Sequence, residues 1–511
     1  MKDFVTNEKE TVVKTSKGLV KGYYFDGVYM FKGIPYAKAE RFRQPEELEP
    51  WEDVFDATNY GYVCPLLENP KPNGELKVPH RYWPMSEDCM NLNVWTPAPD
   101  DSKRPVLVWF HGGGLEAGSS IEQIAYEGEN LAKFGEVVVV SVNHRLNVLG
   151  YLDLSAFGEE YENSGNIGTA DTVASLKWVH DNIEHFGGDP DNVTIMGQSG
   201  GGVKTTALLQ YPEADGLFHR VVNMSGVVDD LLCDAEESGE EFALDLMKAL
   251  GCETVDELAK IDYSLLAKEY VKLRAEYQAN GRYGGSALYP NKYYLGNPQK
   301  VGFRKETAHI PVLVGSVFGE FTGFAAPAFD REEISYDEGV RIVKEQFGDD
   351  ANELIELFKR AYPERNPADL LYIDTMFRPG DINYVRERSK LNNCTYSYIF
   401  NEDFDIDGKC VPWHCSDIPY WFGNTEYVPV CIKDGVSELE DKMFWALISF
   451  AETGNPNVEQ LPIWPACEDG KEYVMFLGND CRCDINPDHK LVAKLREIMA
   501  NQTVDMDKVQ H

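Results

Sequence analysis

The chain has 511 residues, 43% of them hydrophobic and 12% aromatic, enough for a large buried core. It carries 48 basic against 85 acidic residues, a net charge of −37, which argues against a nucleic-acid partner and disfavours anionic membrane surfaces. Neutral or cationic small molecules should approach such a surface more easily than anionic ones.

The N-terminal "MKDFVTNEKE" lacks the apolar run of a signal peptide, so the expectation is a soluble cytoplasmic protein, or a secreted one if a leader has been removed. The longest aliphatic run, "VVVVSV" from Val137, is too short to span a bilayer. Residues 11–34 are rich in β-branched and aromatic residues with Gly punctuation, and predict short antiparallel strands. "RPVLVWF" from Arg104, "EVVVVSV" from Glu136, "NVTIM" from Asn192 and "IPVLVG" from Ile310 are continuous apolar runs bounded by turn residues. Strands buried on both faces of a parallel sheet read this way. "TYSYIF" and "YVMFLG" predict later strands. Helical spacing recurs between the runs: Val173, Leu176, Val179, Ile183 and Phe186 fall three or four apart before Gly187 and Gly188. "HKLVAKLREIMA" near the C-terminus has the same period. No linker or internal repeat divides the chain, so residues 1–511 are expected to form one α/β domain.

Eleven cysteines lie scattered without the spacing of metal ligands, and no metal site is expected. N-x-S/T triplets at Asn192, Asn223, Asn393 and Asn501 are read as chance matches.

The chemistry concentrates at Gly197-Gln198-Ser199-Gly200-Gly201, which follows "NVTIM" and precedes the helical "VKTTALLQ". A serine on so tight a strand-to-helix turn is held up above the sheet edge, with a helix N-terminus beneath it. A serine hydroxyl is a poor nucleophile and requires a histidine base, a carboxylate behind it and donors for the oxyanion. "WFHGGG" supplies candidate donors, the backbone N–H groups of Gly113 and Gly114, and Gly200 N–H follows the nucleophile. For the base, residue type alone leaves His111, His144 and His414 open among ten histidines.

"FKGIPYAKAERF", "SEDCMNLNVWTP", "VWFHGGG", "VNHRLNVLGYL", "GNIGTADTVASLKWVHDNIEHFGGDPDNVTIMGQSGG", "GSVFGEF", "HCSDIPYWFG" and "GNPN…LPIWP" follow one another along nearly the whole chain. In them the sequence resembles the type-B carboxylesterase/cholinesterase family of α/β-hydrolases. The resemblance implies an α/β-hydrolase fold: a large, mostly parallel sheet with helices on both faces and a small N-terminal antiparallel sheet. It implies Glu320 as the acid and His414 as the base, in the order Ser199, Glu320, His414. It implies buried ion pairs, Glu87 with Arg145 and Arg41 with Asp189, and a supporting role near the triad for Ser225. Cys64 and Cys89 match a pair disulfide-linked in secreted relatives and are expected close together but reduced.

Several positions depart from the family pattern. Gln198 stands where many relatives carry glutamate, Leu115 where an aromatic is common, and Gly200 and Gly202 where elbows are often bulkier. The acyl-side loop "RYGGSALYPNKYYLGNP" lacks the usual Pro-x-x-Asp-Gly pattern, though its tyrosines could line a cleft. The expected activity is hydrolysis of uncharged, short to medium carboxylic esters through an acyl-enzyme, with no cofactor and with oligomeric state left open. The rival expectations are a feruloyl or acetyl esterase, an amidase, or a binding member that has lost catalysis; the intact triad argues against the last.

Overall fold

The computed structural model describes residues 3–7, 9–68, 79–228, 234–235, 237–324, 328–406, 408–431 and 436–509, with side chains described as far as residue 500 except at 436 and 437. A 12-stranded sheet dominates it. Seven neighbouring strands run parallel, in the spatial order Val138–Val142, Arg104–Phe110, Gly188–Gln198, Arg220–Met224, Val312–Val317, Thr395–Phe400 and Tyr473–Leu477. The apolar runs are strands for the reason anticipated: each is buried on both faces. Along Arg104–Phe110, Val106, Val108 and Phe110 enter one core with Val138, Val140, Val193 and Ile195. The alternating Leu107 and Trp109 enter the opposite core with Val139, Met196 and Val222.

Each face is covered by helix. Ile167–Asn182 contributes Val173, Leu176 and Val179 to the first core. Val436–Thr453 contributes Met443, Leu447 and Phe450 to the second. The first helix tightens into a 3₁₀ turn at Ile183–Phe186 and stops at Gly187, whose φ of 81° a side-chain-bearing residue rarely adopts. The N-terminal strands divide between two sheets. Val12–Lys14 and Leu19–Lys21 pair antiparallel, with Phe55–Asp56 joining alongside in parallel. Tyr23–Phe25 and Val28–Pro35 instead extend the large sheet antiparallel.

Two ion pairs differ from expectation. Arg145 does not pair with Glu87; its Nε and Nη2 grip Asp171 at 2.9 and 2.6 Å, with both residues buried. Asp171 lies on the helix below the Arg145 loop and also accepts the Arg145 backbone N–H at 3.0 Å. This planar, two-pronged fit leaves Glu87 to Arg41, which it meets through both carboxylate oxygens. Asp189 instead accepts the Asp191 N–H in its own turn at 3.0 Å.

Candidate active site

Ser199, Ser225, Glu320 and His414 each follow one of four adjacent parallel strands, at the C-terminal edge of the sheet. Ser199 ends the Gly188–Gln198 strand and starts the Gly200–Leu208 helix, with φ 56° and ψ −122°. Its N–H is held by the Met224 carbonyl at 2.9 Å. The turn closes because residue 201 has no side chain: a Cβ there would run into the Phe110 carbonyl. Positive φ recurs at Ser225 (47°), Glu320 (39°) and Cys415 (76°), so unusual backbone gathers where these segments converge.

The structure brings Glu320 and His414 together: Oε2 lies 2.5 Å from Nδ1, with both side chains buried. The other carboxylate oxygen, Oε1, accepts the Ser225 hydroxyl at 2.7 Å and the Val317 N–H at 2.8 Å. Burial pushes the Glu320 carboxyl up to about 8, opposed by those two donors, while Asp417 pushes it further up. The imidazole is clamped by Phe321 and Phe377, with centroids 4.5 and 5.1 Å from its own. Beside it, the Gln198 amide nitrogen lies 3.1 Å from His414 Nε2, and Gln198 Oε1 accepts the Cys415 thiol at 3.3 Å.

The other two candidate bases stand elsewhere. His111 and His144 stack on each other beneath the glycine loop, centroids 5.1 Å apart. Their Nδ1 atoms face backbone carbonyls, of Gly112 and Arg145 respectively, rather than a carboxylate. In the loop itself, Gly113 and Gly114 take φ 86° and 65°, and the N–H groups of Glu116 and Ala117 fold back onto the Gly113 carbonyl. Gly200 packs directly on the Gly114 carbonyl, with no room for a Cβ. This close approach accounts for glycine where elbows are often bulkier.

Two chambers meet at Ser199. One, of about 580 Å³, is lined by Val63, Tyr82, Trp83, Met85, Tyr126, Gln198 and His414 among others. The other, of about 430 Å³, is lined by Gly113, Gly114, Leu115, Gly200, Tyr283 and Phe377 among others. Leu115 thus forms an aliphatic wall, and Tyr283 is the loop tyrosine that reaches this cleft. No group of three or more potential ligands for a metal ion occurs among the described residues.

Sequence reasoning passed over Lys204. It lies buried in the helix after the elbow, its ammonium donating to the His111 carbonyl at 3.0 Å. No carboxylate forms an ion pair with it among the described residues. Burial pushes it down to about 7, against the pull of Glu122. The available signal was a lone lysine in the otherwise uncharged "GGGVKTTALLQ".

A serine elbow on this sheet, with helices on both faces, defines an α/β-hydrolase acting as a serine esterase on carboxylic esters. The chain belongs to the Carboxylesterase family, whose sequence model matches residues 9–492. It is 33% identical to the para-nitrobenzyl esterase of Bacillus subtilis (strain 168) over 95% of this chain and 98% of that protein. It is 30% identical to the phenmedipham hydrolase of Pseudarthrobacter oxydans over 95% and 99%. Among solved structures, it superposes with a TM-score of 0.94 on an esterase from Clostridium hathewayi described as hydrolysing aliphatic aromatic polyesters. That protein is 46% identical, with 98% of this chain and 100% of that one covered. Among the described residues, no helix is long and apolar enough to cross a membrane.

Proposed function

We propose that Ser199 is the nucleophile, His414 the base and Glu320 the acid of this esterase, with Gly113, Gly114 and Gly200 as oxyanion donors. The observation that carries this reading is the buried Glu320–His414 contact of 2.5 Å beside a serine that lies where two chambers meet. His414 Nδ1–H donates to Glu320, which leaves Nε2 with its lone pair. Nε2 takes the Ser199 proton as Oγ adds to the ester carbonyl. The carbonyl oxygen becomes an oxyanion and turns toward the three backbone N–H groups. Collapse expels the alcohol, which takes its proton from His414. Water then adds to the acyl-enzyme by the same route, releasing the acid and free Ser199.

The substrates in this reading are uncharged esters with short to medium acyl chains. Support comes from the net charge of −37, the neutral Gln198 and the aliphatic Leu115 wall. Tyr82, Trp83 and Met85 in the larger chamber suit an aryl or benzyl group. The likeness to a para-nitrobenzyl esterase from Bacillus and to a polyester-hydrolysing esterase from Clostridium points the same way. We also read residues 1–511 as one domain, because Phe4–Val5 and Arg482–Ile485 form the two edges of a single sheet.

The test is a fluorophosphonate probe together with Ser199→Ala. Labelling is expected at Ser199 alone, and the variant should fold yet lose hydrolysis of p-nitrophenyl butyrate. Labelling at another residue with Ser199→Ala still active would overturn the assignment.

A further inference from the structure

The smaller chamber contains a charged corner that the proposed chemistry does not use. Its walls near the serine are apolar, including Leu115, Val203 and Phe377. Arg274 and Glu116 line the same space. Arg274 comes from the Tyr263–Ala279 helix, and Glu116 follows Leu115 in the loop after the glycines. The two are ion-paired through Arg274 Nη1 and Glu116 Oε2 and remain partly open to the chamber, with side chains 20% and 33% exposed.

A guanidinium carries five N–H donors in a planar fork and accepts nothing. Glu116 is its one hydrogen-bond partner among the described residues, reached through Nη1, so the Nε edge and the Nη2 donors are left for another acceptor. Gly285 packs against both partners: a Cβ there would lie 3.4 Å from Arg274 Cδ and 3.5 Å from Glu116 Oε1. With no side chain at residue 285, nothing from that position screens the corner.

We propose that Arg274 is a subsite for a second ester carbonyl, so that the preferred substrates are diesters of dicarboxylic acids. This rests on the esterase reading of Ser199 and specifies its acyl group. The corner is charge-neutral as a pair, which suits an uncharged acceptor. A free carboxylate there would meet Glu116 and an overall charge of −37. An ester carbonyl accepts hydrogen bonds without bringing charge, and an aliphatic or aryl spacer fits the apolar walls between Ser199 and the corner.

The reaction breaks one of the two ester bonds. Ser199 takes the near acyl carbon, and the first alcohol leaves with a proton from His414. The acyl-enzyme keeps its far ester at Arg274. One water releases the half-ester acid. Rebinding that product by its remaining ester would place its carboxylate in the corner beside Glu116, so half-esters accumulate.

Dimethyl esters from succinate to sebacate, compared with methyl alkanoates of matched length and with the monomethyl half-esters, test this on the whole enzyme. At one diacid length KM should be about tenfold lower than for the matched alkanoate. Arg274→Met should erase that difference through KM with kcat little changed, and leave p-nitrophenyl butyrate turnover and fluorophosphonate labelling of Ser199 intact. Glu116→Gln should lower KM for the half-esters severalfold. The subsite is overturned if no diacid length is preferred, if Arg274→Met impairs diester and p-nitrophenyl butyrate alike, or if Glu116→Gln leaves half-esters unchanged. An enzyme that hydrolyses none of these esters and takes no label at Ser199 overturns the esterase assignment itself, a different result from each of these.

Discussion

The amide nitrogen of Gln198 lies 3.1 Å from Nε2 of His414, the atom proposed to receive the serine proton, and 3.4 Å from Nδ1. With Nδ1–H given to Glu320, the neutral ring has its lone pair at Nε2; the Gln198 amide nitrogen, near both ring nitrogens, lies against the ring face rather than along that lone pair. The Cys415 thiol fixes the orientation by donating to the amide oxygen. An amide N–H dipole against the ring favours the neutral imidazole and opposes the imidazolium. Glu320 and, through longer-range electrostatics, Asp417 favour the cation.

Replacing the amide by a carboxylate therefore reverses the local preference. Gln198→Glu should move the acid limb of the kcat/KM profile for p-nitrophenyl butyrate upward by about one pH unit, equivalent to roughly 1.4 kcal/mol in favour of the protonated ring. The plateau at alkaline pH should change little. An acid limb that stays in place or moves down contradicts this effect of the amide.

Glu320 holds the ring and Ser225 holds Glu320. An amide at 320 can turn its N–H₂ toward the ring and select the wrong tautomer. Glu320→Gln should lower kcat on the order of 10³ to 10⁴-fold with KM nearly unchanged, by analogy with the corresponding change in a serine protease. Ser225→Ala removes one of two donors on Oε1, and a loss of roughly tenfold in kcat is expected, about 1.4 kcal/mol. Steady-state kinetics on folded variants check both, and a larger effect at Ser225 than at Glu320 would reverse their ranking.

Lys204 makes stability depend on pH. Its ammonium titrates at about 7 in the fold, against 10.5 for an ordinary lysine. Between these values the unfolded chain binds the proton and the folded one does not, so the lysine's contribution to stability rises as pH climbs from 7 to 10.5. Below 7 its penalty is constant and largest. Lys204→Met should accordingly melt above the parent at pH 6, with the difference shrinking toward pH 10 and partly offset by the lost bond to the His111 carbonyl. Paired melting curves at pH 6, 8 and 10 measure it, and a difference that grows with pH contradicts the assignment.

Cys64 and Cys89 are both free and buried. A hydrogen bond to Cys64 and burial push the Cys89 thiol well up, which keeps it protonated and inert. Activity should survive dithiothreitol at moderate temperature. A sharp loss of activity would indicate a structural bond between the two.

The central strands were legible because burial on both faces leaves an unbroken apolar run. The elbow was legible because a glycine-flanked serine between an apolar run and a helical one is a local pattern, although the contacts that force Gly200 and Gly201 come from the distant Phe110–Gly114 segment. The Arg41–Glu87 and Arg145–Asp171 pairing was not legible. Which carboxylate meets which guanidinium depends on how segments distant in the chain are laid over one another, and no local pattern records that. Lys204 and the Gln198–Cys415 contact escaped for a related reason. Each is defined by a partner from another segment, the His111 carbonyl in one case and the residue after His414 in the other. The Ser225–Glu320 hydrogen bond sits between: position suggested support, and only the structure supplied the atom supported.

The strands that precede Ser199, Ser225, Glu320 and His414 stand side by side in the order in which the chain is made. On the ribosome, at about 5–20 residues per second, the serine elbow emerges roughly ten to forty seconds before its histidine. On the proposed assignment, the nascent chain displays throughout that interval a nucleophile with no base. Esterase activity in a newly made molecule is therefore a late event, dependent on strand pairing having reached Thr395–Phe400, with Tyr473–Leu477 and Arg482–Ile485 still to join the sheet.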